Sequence, residues 1–291
     1  MRVMNISTSD TGGCGWLTRL AFADTDVTYD VVSGRSTWIG YPAVEPWSER
    51  HRLAELADVH HARQKLSVLD GLPRRPRVIH HHGTRYRSDP RTANREAARC
   101  GARTIVSTVD LLEHAPADAV WHGIPHDLDW LAKFRRPLGG SLRVGHAPTI
   151  RSNKGTDDFL AAAKRIPGVK VVLIEWTPWM QALGVKGTCD VLFDQFTLGY
   201  GSNAVEAWGM GIPVISGAAP HILDRMRAMW GELPFMEATP RTIGAAVDAM
   251  KDPAVRDEWA ARGHAHVTAY HTREVARAKL GRLYEEVLAA G

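Results

Sequence analysis

Short apolar segments rich in β-branched residues alternate with amphipathic stretches along most of this chain. Residues 3–7 (VMNIS), 27–32 (VTYDVV), 57–61 (ADVHH), 77–82 (RVIHHH), 104–108 (TIVST) and 119–123 (AVWHG) read as strands ending at Gly, Pro or polar residues. Helical spacing occupies the stretches around 15–23, 48–56, 63–70 and 89–100. Strands alternating with helices imply a parallel sheet with helices on both faces. The segment 133–143 (KFRRPLGGSLR) interrupts the pattern with Pro137, Gly139 and Gly140 and reads as a linker. The alternation then restarts. Strands are expected at 142–147, 169–175, 189–195 and 212–217, and helices near 155–165, 178–184 and 202–210. From Pro240 onward only helical spacing remains. The organisation is two αβ halves of similar size with a helical tail.

Composition narrows the class. At 291 residues, 44% hydrophobic and 23% charged, the chain is an ordinary globular protein with room for two domains. No apolar run approaches the ~18 residues of a membrane span. The opening MRVMNIS reads as a first strand rather than a signal peptide, and a cytoplasmic location is expected. Cys14, Cys100 and Cys189 form no Cys-x-x-Cys pair, so neither a disulfide framework nor a cysteine zinc site is indicated. The net charge is only +4. Between Leu72 and Arg103, however, nine arginines face only Asp89 and Glu96.

Two glycine turns follow strands and open helices. In STSDTGGCGW (7–16), Gly12, Gly13 and Gly15 let the backbone approach a ligand and leave N–H groups at a helix start, an anion site by geometry and dipole. The spacing matches neither the dinucleotide fingerprint nor the Walker loop. A tight turn with no ligand is the alternative. In LGYGSNAVEA (198–207), Gly199 and Gly201 give turn freedom, and Ser202 or Asn203 can cap the next helix. Glu206 is then expected near the first turn, where the dipole favours a carboxylate. It also sits among Ala, Val, Trp, Met and Ile, where a buried carboxylate needs hydrogen bonds. The vicinal hydroxyls of a ribose would supply them. In GHAPTIRSNKGTDDF (145–159), Arg151 and Lys154 lie in the loop after the first strand of the second half, where two cations can neutralise a diphosphate. A solvated surface pair is the alternative.

These segments resemble the GT-B class of nucleotide-sugar glycosyltransferases, in particular glycosyltransferase family 4. The resemblance is strong over residues 142–220 and weaker through TGG and HHHGTRYR in the first half. It implies an α/β GT-B fold of two Rossmann-like domains facing across a cleft. Residues 1–138 would form the acceptor-side domain and 139–270 the donor-binding domain. Residues 271–291 would form a C-terminal helix crossing back to the first domain. The resemblance assigns Glu206 to the donor ribose, Arg151 and Lys154 to the diphosphate, and Gly12 and Gly13 to the phosphates from the other domain. The turn Gly199, Tyr200, Gly201, Ser202 and Asn203 would lie near the sugar or diphosphate, and Glu175 and Trp176 near the nucleobase. The family's first glutamate, in Glu-x7-Glu, falls on Leu198 here, which leaves the sugar's identity and turnover open.

The triplet His80–His82 invites a metal reading, but in a strand only His80 and His82 share a face, and no third ligand is evident. His82 precedes Gly83, like a turn whose histidine faces the sugar or acceptor in the family, and is the candidate catalytic histidine. A core-packed or solvated role is the alternative. His122 and His146 also end strands. Arg87, Arg91, Arg95 and Arg99 recur every four residues across one expected helix. Either this is a solvated basic face, or Arg85, Arg87 and Arg91 hold an anionic acceptor such as nucleic acid, an acidic lipid or a phosphorylated carrier. Trp176, Trp179 and Trp208 cluster around the expected donor site and are read first as packing.

The resulting expectation is a retaining, metal-independent glycosyltransferase. Its donor would be a nucleotide-diphosphate sugar, UDP- or GDP-linked, and it would need no other cofactor. Arg151, Lys154 and the glycine turns would stabilise the leaving diphosphate. A nucleotide-sugar epimerase or hydrolase, and a non-catalytic nucleotide-sugar binder, are the alternatives.

Overall fold

The computed structural model describes residues 1–10, 12–35 and 39–290; Thr11 of the first glycine turn lies outside them. The chain divides into two compact units, residues 1–125 with 272–291, and residues 126–271. The first boundary precedes the segment Pro137–Gly140.

Unit 1 is built on seven parallel strands: β1 (Arg2–Ser7), β2 (Thr28–Ser33), β3 (Glu45–Pro46), β4 (Val59–Arg63), β5 (Arg77–His81), β6 (Ala102–Val106) and β7 (Val120–Trp121). Their order is β3-β2-β1-β4-β5-β6-β7. The direction of winding reverses between β1 and β4, and the crevice beyond such a reversal is where α/β sheets bind ligands. The intervening helices are α1 (Cys14–Ala21), α2 (Arg50–Leu56), α3 (Thr84–Ser88) and α4 (Pro90–Arg99).

Unit 2 contains α5 (Leu128–Ala132), β8 (Leu142–His146), α6 (Arg151–Lys154), α7 (Thr156–Ala163), β9 (Val169–Leu173), α8 (Trp179–Lys186), β10 (Val191–Phe193), β11 (Leu198–Gly199) and α9 (Ser202–Gly209). It continues through β12 (Val214–Ala218), α10 (Pro220–Trp230), β13 (Met236–Glu237), α11 (Ile243–Ala249) and α12 (Pro253–Tyr270). The sheet order is β11-β12-β10-β8-β9, with β13 also beside β12. Only β11 runs antiparallel. The reversal here lies between β8 and β10. The chain then contributes α13 (Arg273–Ala290) to unit 1.

Alternating side chains of β1 divide the first core. Met4 and Ile6 join Leu53, Leu69 and Ala97 on one face of the sheet. Val3 joins Val31, Val59 and Val78 on the other, with Ala276, Leu280, Leu283 and Tyr284 of α13. Both faces are covered, as parallel sheets require. In unit 2, Val144, Phe159, Val191, Phe193, Ile215 and Val247 form the corresponding core.

The expected helix at 63–70 is replaced by the end of β4 and a short 3-10 turn over Leu66–Leu69. Parallel pairing of Ala62 and Arg63 with Ile79 and His80 extends the strand against local helical spacing. The single helix expected at 89–100 begins at Pro90. Asp89 caps it by accepting from Thr92 N at 3.0 Å, and its non-helical backbone separates α3 from α4.

Several histidines are buried and neutral. Burial pushes His81 and His146 down to about 4, and lowers His60, His61, His80, His82 and His266. In the unfolded chain these rings protonate near pH 6.5. Their contribution to stability is therefore complete above that pH and is lost as pH falls toward the folded values. The urea midpoint is expected to drop steadily from pH 6.5 to 4; a flat profile over that window would contradict the neutral buried rings.

Candidate functional site

The unit 2 site forms at the carboxyl ends of β8 and β10, the point of reversed winding. Six charged side chains meet there as three pairs. Glu206, on α9, is 2% exposed. Its Oε1 accepts from Trp179 Nε1 at 2.9 Å, and its Oε2 is ion-paired with Lys186 Nζ at the end of α8. Lys186 Nζ also donates to Asn203 Oδ1 at 2.6 Å, and Asn203 Nδ2 donates to Ala147 O at 2.7 Å. Asn203 thereby ties α9 to the loop after β8.

The second pair is Lys154 with Asp194. Lys154 Nζ reaches Asp194 Oδ1 at 2.8 Å, while Asp194 Oδ2 accepts from Gly201 N at 2.6 Å. Asp194 directly follows β10, and its side chain is fully buried. The third pair is Arg151 with Glu175, a two-pronged contact at 2.7 and 2.6 Å. This fork holds the Glu175 carboxyl below its usual range. The Arg151 side chain is 48% exposed. Each cation at this edge is thus matched by a carboxylate, and Arg151 has a second, exposed one in Asp157 at 3.9 Å.

Several expectations change here. Glu206 stands in the second turn of α9, not the first, so the helix dipole does not explain it. The hydrogen bonds its burial requires come from Lys186 and Trp179. Gly201 is the N-cap of α9, and neither Ser202 nor Asn203 caps it through a side chain. Gly199 adopts φ 83°, and a Cβ there would lie 2.0 Å from Met226, so only glycine fits. Tyr200 turns inward: its hydroxyl lies 2.8 Å from His266 Nε2 and 2.9 Å from His271 Nε2. A hydroxyl held between two imidazoles serves packing rather than a donor. His146 is also internal, with Nδ1 on Phe193 O and Nε2 on Thr156 Oγ1. Trp176, by contrast, is 78% exposed and holds a left-handed φ of 51°. Such backbone is costly for a bulky residue and clusters at ligand sites.

In unit 1 the helix start expected to bind an anion already holds one. Asp10 accepts from Gly15 N at 2.7 Å and Trp16 N at 3.0 Å. A carboxylate there satisfies N–H groups and the dipole together. Gly12 and Gly13 keep positive φ, but a Cβ on Gly13 would strike the Tyr41 ring at 2.2 Å, so Gly13 serves that packing. Arg63, 3% exposed at the end of β4, donates to Asn5 Oδ1, Cys14 O and Thr18 Oγ1. It also reaches His82 Nε2 at 2.7 Å.

A guanidinium can only donate, so that ring nitrogen accepts and the His82 proton sits on Nδ1. Nδ1 faces Ser107 Oγ, which in turn lies 3.0 Å from His80 Nε2. Burial and the Arg63 charge hold His82 well below its ordinary pKa. The candidate catalytic histidine therefore has both nitrogens committed and cannot act as a base without leaving Arg63. Arg87 leaves the expected stripe as well. It lies on α3 and grips Asp110 at 2.5 and 3.0 Å, whereas Arg85, Arg91, Arg95 and Arg99 are exposed. The reason is Asp89-Pro90, which starts a new helix after it. Among the described residues no group of three His, Cys, Asp or Glu side chains could hold a metal ion, and no helix is long and apolar enough to cross a membrane.

No family model and no curated protein matches the chain by sequence. Solved structures do match by shape. HepE from Anabaena, solved in complex with UDP-glucose, superposes with a TM-score of 0.73 at 13% identity, covering 98% of this chain and all of that one. The chain has the GT-B fold. Sucrose-phosphate synthase from Thermosynechococcus elongatus gives 0.66 at 14% identity, with 100% of both chains covered. A protein from Listeria monocytogenes assigned as a UDP-N-acetylglucosamine 2-epimerase gives 0.55 at 12%, covering 98% and 96%.

Lys186 was not evident from sequence as a site residue, although a lone lysine closing the apolar helix WMQALGVK was the available signal. Removing one partner of a buried ion pair costs about 3–5 kcal/mol. Lys186→Met is expected to destabilise unit 2 by about that amount, and adding Glu206→Gln should recover much of it. Equal urea midpoints for wild type and Lys186→Met would contradict the pairing.

Proposed function

We propose that the protein is a glycosyltransferase that binds a nucleotide-diphosphate sugar at the β8–β10 edge of unit 2. The observation that carries this reading is the gathering of Arg151, Lys154 and the α9 turn at the point of reversed winding in a GT-B chain. The solved HepE and its UDP-glucose support a UDP-linked donor.

The charge balance indicates how an anion enters. A diphosphate brings two or more negative charges to three pairs that hold no excess of cations, with Asp157 as a further acid beside Arg151. Lys186–Glu206 is buried, and in the part-buried Lys154–Asp194 pair the acid is fully buried, so separating either leaves a desolvated charge. Arg151–Glu175 is water-exposed, and exposed pairs are worth little. Arg151 is therefore the cation that turns to the ligand. Lys154 adds its field from beside Asp194, oriented by it. As the sugar–phosphate bond lengthens, charge accumulates on the leaving diphosphate, and fixed cations there lower the barrier. Exposed Trp176, next to Glu175, offers an indole face to the nucleobase. Glu206 acts on the ribose only through lone pairs not already taken by Lys186 and Trp179. Retention at the anomeric carbon is the outcome the resemblance implies, and product NMR reads it. The epimerase-like shape of the Listeria protein keeps a sugar-nucleotide isomerase as the second reading. Product analysis with and without acceptor separates the two.

With UDP-glucose as donor, Arg151→Ala and Lys154→Ala are each expected to cut turnover roughly 10²–10³-fold. Glu175→Gln, which removes the closer of Arg151's two carboxylates and leaves only the exposed Asp157, is expected to tighten UDP binding in calorimetry. Near-normal turnover in both alanine variants, or weaker UDP binding by Glu175→Gln, would overturn the assignment.

A further inference from the structure

A cavity of about 180 Å³ opens in unit 1 beside the carboxyl ends of β4 and β5 and the start of α4. It shares no residue with the unit 2 site. His81 lines it. That ring is 2% exposed, and neither Nδ1 nor Nε2 has a hydrogen-bond partner. Buried polar atoms left this way are uncommon and ask for an explanation. The ring is fixed in place by stacking on Tyr86, with centroids 4.2 Å apart and planes 23° apart. Gln64 lines the same cavity with a left-handed φ of 68°, one of three such non-glycine residues among those described. Strain of this kind persists where the surroundings hold it and clusters at ligand sites.

The lining also fixes the ligand's chemistry. Its charged groups are Lys65 and Arg85 against Asp89 and Glu96, so the charges balance. Burial and the Arg85 charge push His81 down to about 4, leaving one N–H donor and one acceptor. The Gln64 amide likewise donates and accepts. A phosphate would meet carboxylates with no excess of cations to offset them. A hydroxyl both donates and accepts, so it suits the imidazole, amide, carboxylates and guanidinium together. The volume lies below the ~300–1,000 Å³ of drug-sized sites and suits one sugar ring.

We propose that this cavity binds a small, uncharged, polyhydroxylated ligand of the monosaccharide class, read by His81 and Gln64. Identifying that sugar as the acceptor rests on the transferase reading above; the binding does not. The test uses the full chain without any nucleotide sugar, so its outcome is separate from the donor assignment. Methyl glycosides of glucose, galactose and mannose serve as probes in saturation-transfer NMR and calorimetry. At least one is expected to bind saturably. His81→Phe keeps the stacked ring and loses both nitrogens; it should weaken that binding about tenfold, the worth of one or two neutral hydrogen bonds. Gln64→Gly relieves the backbone strain, so its melting temperature should hold or rise while affinity falls. It keeps the test decisive even if His81→Phe folds poorly. The proposal is overturned if no glycoside binds, if both variants bind as tightly as wild type, or if inorganic phosphate displaces the bound glycoside.

Discussion

The arrangement of unit 2 depends on the buried pair between Lys186 and Glu206. A carboxylate and an ammonium removed from water tolerate little displacement, because each is costly without the other. Lys186 closes α8 and Glu206 lies within α9, so the pair sets these helices against one another. Asn203 carries the constraint onward to Ala147, at the end of β8. Trp179 Nε1 completes the acid's coordination. Asp194 in turn orients Lys154 and accepts from Gly201 N at the start of α9, so the proposed diphosphate cation Lys154 is held in a fixed position. The Arg151–Glu175 fork is the most exposed of the three pairs, and on the proposed reading it is the one that opens to a ligand.

Unit 1 solves a related problem with a different cation. Arg63 sits at the reversal between β1 and β4 and binds Asn5 of β1, Cys14 and Thr18 of α1, and His82. It therefore joins the first strand, the first helix and the loop after β5. Asp10 lies at the start of α1, and Asp194 at the start of α9. In unit 1 Asp10 satisfies two N–H groups of the helix start, whereas in unit 2 Asp194 takes only the N–H of the N-cap residue Gly201.

Much of this was legible in sequence. Strand and helix alternation located nearly all the major elements, because period-2 and period-3.6 patterns reflect burial directly. The burial of Glu206 was readable from its apolar neighbours, but its partner was not. Lys186 lies twenty residues earlier on another helix, and no local spacing indicates which lysine folds over which acid. The four-residue arginine spacing misled at Arg87. There the Asp-Pro pair, a strong helix start, was the better signal, and Asp110 was too distant in sequence to be suggested as a partner. His82 was read from the turn it precedes, whereas its chemistry is decided by Arg63, brought to it only by the pairing of β4 with β5. Helix α10 was missed although both signals were present: Pro220 is its first residue, and Ile222, Leu223 and Met226 are buried at helical spacing.

The most direct measurement is a crystal structure of the full chain with UDP bound. The account predicts phosphate oxygens on Arg151, with Glu175 released and Lys186 still on Glu206. UDP bound elsewhere, or Arg151 still clamped to Glu175 beside an occupied site, would contradict it.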